Sequence, residues 1–242
     1  MDLSNENVIY IKKENIEYLQ FRKLLEFSNI INHAYSLGID KDFRTESPFH
    51  TPIDKENEKQ ATENYKKIAN AINSDYTHII KARQMHTKEV RCVEEKENEP
   101  EFCSDKYEKT DGLITNKSNI MLSTTNADCI LLLFFDPVKK VIANAHSGWR
   151  GTLKKISVET VNKMQKTYGS KPQDIICCIC PSIRKCHFEV ERDVKDLFQN
   201  EFDYMDSIVE ETVENKKWHI DTIKINIELL KQARTKSRKH HR

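Results

Sequence analysis

Cys129 closes an Asn126-Ala127-Asp128-Cys129 element between two apolar segments, and His146 ends the next segment 17 residues later, in Asn144-Ala145-His146. A hairpin between those segments brings a thiol and an imidazole together. His86, in Gln84-Met85-His86, ends a further strand-like segment and supplies a second imidazole if that strand is a neighbour. One thiolate and two imidazoles make a three-ligand set suited to Zn²⁺, with a fourth position open to water or substrate. Open coordination marks catalysis rather than structure. The same Cys and His also suit a nucleophile and its base, with Asp128 or another carboxylate as orienter. Residue types and spacing leave both chemistries open, because a lone Cys in an apolar strand is ordinarily a core residue and a lone His a satisfied polar group.

Directly after His146 comes Ser147-Gly148-Trp149-Arg150-Gly151-Thr152. The segment opens a helix, so free N–H groups, Gly151 and the Arg150 guanidinium together suit an anion or phosphate. Trp149 offers a ring for stacking on a planar base. Of the five glycines in the chain, Gly112, Gly148 and Gly151 fall in these unusual elements, where backbone freedom or close approach is needed. His33, His50, His78, His187, His219, His240 and His241 lack ligand spacing and read as structural or solvent-facing. Cys177, Cys178 and Cys180 read as packing in a buried strand. No phosphate-binding glycine loop and no Gly-x-Ser-x-Gly element occurs.

The elements that must position these residues follow from apolar periodicity. Short apolar pieces between residues 8 and 40 predict edge strands, and Thr45 to Gln60 predicts a loop feeding an amphipathic helix through Ala61, Tyr65, Ile68, Ala69 and Ile72. Tyr76 to Ile80 and Val90 to Val93 predict strands, and the acidic Glu94 to Glu108 stretch a solvated loop. Ile120 to Thr125, Ile130 to Phe135 and Val141 to Ala145 predict a buried antiparallel ladder, the last two joined by the turn Asp136-Pro137-Val138-Lys139-Lys140. Leu153, Ile156, Val161, Met164 and Tyr168 predict one helix from Thr152, closed by Gly169. Ile175 to Ile179 predicts another strand, and Val190, Val194, Leu197, Phe198 and Phe202 another helical face. Strands mixed with helices in this way point to an α+β fold.

The 242 residues suffice for a sizeable core and read as one domain over residues 1–242. With 39 Lys and Arg against 38 Asp and Glu, the net charge of +1 provides no global field for nucleic acid or an anionic membrane. The apolar run Ile130 to Phe135 is far short of the roughly 20 residues that span a bilayer. The N-terminal residues lack the basic and apolar regions of a secretory signal, and seven cysteines form an odd set; both favour the reduced cytosol.

These residues carry a resemblance. Thr125-Asn126-Ala127-Asp128-Cys129, Phe134-Phe135-Asp136-Pro137 and Ile142-Ala143-Asn144-Ala145-His146-Ser147-Gly148-Trp149-Arg150-Gly151-Thr152 resemble the YfiH family, also called the laccase-domain or polyphenol oxidase family. Gln84-x-His86, Asp111-Gly112-Leu113-Ile114-Thr115 and Cys180-Pro181-Ser182-Ile183 follow in the family's order, from about Asn64 to Asn226. The resemblance implies an α+β fold with a large mixed β-sheet flanked by helices, and a zinc site of His86, Cys129 and His146; around that site the residues themselves read as Arg150 assisting catalysis and Asp128, Trp149 and Gly151 contacting substrate. It also implies a monomer or homodimer acting on purine nucleosides and phosphate. The reactions would be phosphorolysis of adenosine, inosine and S-methyl-5′-thioadenosine to base and sugar 1-phosphate, and deamination of adenosine to inosine. Phenol oxidation ranks lower, because multi-copper sites need clustered imidazoles and none of the nine His forms a His-x-His pair. A single His/Cys/His set would still take copper under copper excess. The remaining alternatives are a metal-independent Cys–His hydrolase and a non-catalytic relative. Departures from the family's pattern are Tyr35-Ser36-Leu37-Gly38 in place of an Arg-Gly-Gly element, Leu131 where Pro is common, and the basic C-terminal end from Lys236 to Arg242.

Overall fold

A computed structural model of the protein describes residues 2–13, 16–37, 55–74, 78–94, 105–205, 208–211 and 217–239. The chain begins with β1 (Val8–Lys13) and β2 (Ile16–Phe21), which pair antiparallel from Val8 opposite Phe21 to Lys13 opposite Ile16. A single turn, α1 (Arg22–Leu25), follows, and β3 (Tyr35–Ser36) adds to the free edge of β2. Helix α2 (Lys55–Ala71) turns Ile68 and Ala69 inward, and Ile68 and Ile72 pack on Ile16 and Tyr18 of the small sheet. The expected amphipathic stripe is therefore present, but its helix already includes Lys55 to Gln60, which sequence assigned to a loop; residues 45–54 of that loop lie outside the described residues.

The central sheet contains β5 (Val90–Cys92), β6 (Gly112–Thr115), β8 (Ile130–Asp136), β9 (Val141–Ser147) and β10 (Ile176–Ile179) in the order β10-β8-β9-β6-β5. It is mixed, with β5 parallel to β6 and the other pairs antiparallel. Strands β8 and β9 form the expected hairpin, with Ile130 opposite Ser147 and Asp136 opposite Val141. Its turn is shaped by Asp136, whose Oδ1 accepts the backbone N–H of Val138 at 2.8 Å and of Lys139 at 3.0 Å. The remaining two strands of this region, β4 (Ile79–Lys81) and β7 (Met121–Ser123), pair parallel with each other in a separate sheet. This corrects the expectation that Ile120 to Thr125 joins the antiparallel ladder. The place beside β9 opposite β8 is taken by β6, and the bend at residues 127–129 turns the chain away from β7 before β8 starts.

After β9 the chain forms α3 (Trp149–Leu153) and α4 (Ile156–Tyr168), where sequence predicted one helix. Lys155 breaks it with φ of 60°. Leu153 and, from α4, Val158 face a cluster with Phe198 and Trp218, whereas Ile156, Val161 and Met164 cover the central sheet through Ile130, Leu132 and Ala145. Gly169 ends α4 at φ of 70°, as its position predicts.

The C-terminal part comprises β11 (Glu189–Val190), α5 (Arg192–Glu201), β12 (Val209–Glu211), β13 (Trp218–Ile220) and α6 (Thr222–Lys239). Val190 belongs to β11 rather than to the helix, and Leu197, expected on the buried face of α5, is 50% exposed because Val194 and Phe198 form that face. Helix α6 returns to pack Ile223, Leu230 and Ala233 on the central core. The whole is a mixed α and β fold whose sheets are flanked by helices. No helix among the described residues is long and apolar enough to cross a membrane.

Candidate metal centre

Register brings the first two ligands together. His146 sits opposite Leu131 in the hairpin, two residues beyond Cys129, so both side chains reach the mouth of the β8–β9 pair. His86 arrives from the segment after β4, which is clamped to the segment before Cys129 by Gln84. The Gln84 Oε1 accepts the Thr125 N–H at 2.9 Å and the Thr124 hydroxyl at 3.0 Å, and its Nε2 donates to the Thr125 carbonyl at 2.7 Å. Asn126 secures the other side by donating from Nδ2 to the Cys129 carbonyl at 2.6 Å. As a result one donor atom from each of His86, Cys129 and His146 lies within 4.8 Å of the others, the Cys129 Sγ being 4.0 Å from His86 Nε2.

A residue that sequence placed only in a motif holds this arrangement. Asp111, 1% exposed, immediately precedes β6, whose Gly112 pairs with Ala145. Its carbonyl accepts the His146 N–H at 2.7 Å, and its Oδ1 lies 2.8 Å from His146 Nδ1. The same carboxylate accepts the backbone N–H groups of Met85, His86 and Thr87 at 3.1, 3.0 and 2.7 Å, and the Thr87 hydroxyl at 2.8 Å. His86 itself sits in the left-handed region at φ of 57°, a conformation these bonds maintain.

The electrostatics follow. Burial alone would lower the pKa of His146, but the Asp111 carboxylate and the Cys129 thiol beside it raise it to about 9. Burial, with the neighbouring His146 charge, lowers that of His86. Burial would raise the Asp111 carboxyl, yet the hydrogen bonds from His146, Thr87 and Met85 hold it below the usual carboxylate range. Arg150 and Lys154 add positive charge felt at His86, and Lys154 Nζ donates to the His86 carbonyl at 3.2 Å.

The donor set fits a metal ion. With Nδ1 bonded to Asp111, His146 presents Nε2, and two imidazoles with one thiolate suit zinc or copper rather than a hard cation. Space is kept by Gly148: a Cβ there would lie 2.7 Å from His86 Cδ2 and 3.0 Å from Cys129 Sγ. The other expected site residues are distributed around this centre. Arg150 is exposed, with its guanidinium carbon 4.1 Å from the centroid of the Trp149 ring, and Trp149 is half-buried against the cluster containing Phe198 and Trp218. Asp128 is exposed and its carbonyl accepts the Ile183 N–H at 2.9 Å. Gly151 is buried where a Cβ would meet the His146 carbonyl at 3.4 Å and the Thr87 carbonyl at 3.5 Å, a packing position.

Sequence reasoning did not single out Asp111 or Asn226. The signal for the first was the Asp111-Gly112 step, read for its glycine alone. Asn226, from α6, donates from Nδ2 to Thr152 Oγ1 at 3.1 Å and to the Thr222 carbonyl at 3.0 Å, and accepts from the Ser147 hydroxyl at 3.3 Å. It ties the elbow that carries Gly148 to the C-terminal helix. Of the remaining histidines, His33 has a structural role: its Nε2 accepts the Phe21 N–H at 2.7 Å. His50, His240 and His241 lie outside the described residues.

A mixed sheet gathers at its hairpin mouth two imidazoles and a thiol that could hold a metal ion, and the family is shown directly. The chain belongs to the family described as multi-copper polyphenol oxidoreductase laccase, whose model matches residues 50–242; this is the laccase-domain, or YfiH, family. Relatives include a human protein named purine nucleoside phosphorylase, 33% identical over 138 residues, 57% of this chain and 30% of that protein. Purine nucleoside phosphorylase YlmD of Bacillus subtilis is 36% identical over 132 residues, 53% of this chain and 47% of its own. A protein named adenosine deaminase, from an unknown prokaryotic organism, is 27% identical over 156 residues, 64% of this chain and 59% of that one. The chain thus spans less than two thirds of the length of these curated relatives. The crystal structure of Bacillus licheniformis protein YfiH has the same fold, with a TM-score of 0.68 at 24% identity over 96% of this chain and 83% of that one.

Proposed function

We propose that the protein is a zinc-dependent enzyme of purine nucleosides. It would cleave adenosine, inosine and S-methyl-5′-thioadenosine with phosphate to give the free base and ribose or methylthioribose 1-phosphate, and would deaminate adenosine to inosine. The observation that carries the reading is the convergence of His86, Cys129 and His146 within 4.8 Å at the hairpin mouth. Relatives named purine nucleoside phosphorylase and adenosine deaminase support the substrate class.

His86 Nε2, Cys129 Sγ and His146 Nε2 would hold the ion. When bound, it supplies Lewis-acid polarisation and lowers the pKa of water, the chemistry that purine deamination requires. The chain's own residues account for the rest. Asp111 keeps the Nδ1 side of His146 occupied, so that Nε2 faces the centre. Arg150 and Lys154, placed beside His86, supply the positive charge that phosphate needs and that favours negative charge developing as a glycosidic bond breaks. Trp149 braces the Arg150 guanidinium through its ring and limits where that charge can point.

Zinc-loaded protein incubated with each nucleoside, with and without phosphate, tests the proposal. Base and sugar 1-phosphate should appear only with phosphate, and inosine should form from adenosine without it. No turnover of any of the three nucleosides by the loaded protein would overturn it.

A further inference from the structure

We infer that Asp111 is the positioning residue of the centre: one carboxylate fixes the tautomer of one imidazole ligand and the backbone conformation of the other. The inference rests on the metal-centre reading and extends it to a residue that is not itself a ligand.

The geometry divides the task between the two carboxylate oxygens. Oδ1 faces the His86 N–H at 3.0 Å and His146 Nδ1 at 2.8 Å, so it touches both ligand residues. Oδ2 gathers the Met85 and Thr87 N–H groups and the Thr87 hydroxyl, closing the segment around His86. Successive N–H groups turned toward one anion hold His86 at φ of 57°, a conformation rarely adopted by a residue with a side chain. The Asp111 carbonyl additionally accepts the His146 N–H at 2.7 Å, so main chain and side chain locate the same ligand. His86 follows β4 of one sheet and His146 lies in β9 of another, and Asp111, at the start of β6 beside β9, reaches both.

An amide cannot replace this carboxylate. In Asp111→Asn, an amide with its oxygen at the Oδ2 position would turn its NH₂ group toward the His86 N–H and donate to His146 Nδ1, moving the imidazole proton to Nε2, where a metal must bind. With the amide oxygen at the Oδ1 position instead, the NH₂ group would confront the N–H groups of Met85 and Thr87. Either orientation misplaces a ligand. Loss of a carboxylate behind a ligating imidazole typically weakens metal binding about 10- to 100-fold.

The test compares wild type, Asp111→Asn and Thr87→Val by zinc affinity and by the visible absorption of cobalt-substituted protein. Asp111→Asn should bind zinc about 10- to 100-fold more weakly with an altered cobalt spectrum, whereas Thr87→Val, which removes the hydroxyl shared by Oδ2, the Lys109 carbonyl and the Glu89 N–H but keeps all three backbone N–H bonds to the carboxylate, should keep the wild-type spectrum and an affinity within a few-fold. Equal affinity and an unchanged cobalt spectrum in Asp111→Asn, with only its melting temperature lowered, would overturn the inference and leave the metal reading intact. Failure of the wild-type protein to bind zinc or cobalt would overturn both. Should Asp111→Asn not fold, long-range nitrogen–proton NMR of zinc-loaded wild type decides: an Nδ1–H on His146 is expected, and an Nε2–H would overturn the assignment.

Discussion

A Cβ built on Gly148 would lie 2.7 Å from Cδ2 of His86, closer than real side-chain contacts allow. The residue's φ of −65° and ψ of 175° are open to any amino acid, so the glycine is required by its neighbours and not by its backbone. Gly148→Ala should therefore fold but push His86 away from Cys129. Zinc content per chain should fall well below that of wild type, while the melting temperature of the metal-free protein stays within a few degrees. Both are measured on the same preparation.

Metal uptake should depend on pH with a definite sign. In the metal-free protein His146 has its pKa raised to about 9, so at neutral pH its imidazole must lose a proton before Nε2 can bind a metal. His86, whose pKa is lowered, is neutral there and does not compete. Apparent zinc affinity should fall by about tenfold for each pH unit below that value through deprotonation of His146. Calorimetric titrations in buffers of differing ionisation heat would report the released protons. Affinity independent of pH between 6 and 8 would contradict the protonated, Asp111-bound imidazole.

Asn226→Ala tests how far the C-terminal helix supports the centre. The change removes the partner of Ser147 and Thr152 at a fully buried position and leaves two hydroxyls short of a bond. A loss of about 2–3 kcal/mol in denaturant unfolding is expected, together with weaker zinc binding, because Ser147 adjoins Gly148. An unchanged midpoint would show that α6 does not brace the elbow.

Acid should destabilise the N-terminal sheet through His33. Burial lowers its pKa from 6.5 to about 4, and its Nε2 accepts the Phe21 N–H, which a protonated ring cannot do. The unfolded chain therefore binds the proton more readily. Stability from this group is fully present above pH 6.5 and is lost as pH falls toward 4, on the order of 2–3 kcal/mol in total. Urea unfolding at pH 7 and pH 4.5 should show this loss in wild type and a smaller one in His33→Gln, whose amide oxygen can accept the same N–H without titrating.

Much of this was legible along the chain because its signals are local. The Ile130 to Val141 hairpin announces itself by two apolar runs and an Asp-Pro turn, and pairing Cys129 with His146 follows from its register. Gly169 marks the end of α4 for the same reason: its left-handed conformation is a property of one residue. What sequence could not show depends on contacts between distant segments. Ile120 to Thr125 has the same apolar pattern as its neighbours, yet pairs with Ile79–Lys81 because β6 already occupies the open edge of β9. The break at Lys155 leaves no mark in the apolar pattern, because Leu153 and Ile156 keep helical spacing across it. Asp111 stayed hidden because an acidic residue beside a glycine is common, and its importance lies in segments 25 and 35 residues away.

Everything above turns on whether His86, Cys129 and His146 form one metal centre. Inductively coupled plasma mass spectrometry on protein purified without chelators or nickel resin, comparing wild type with Cys129→Ala, tests it most directly. Wild type should carry about one zinc per chain, in keeping with a single three-ligand site, and Cys129→Ala little or none with its fold retained. Metal absent from both proteins, or present equally in both, would contradict it.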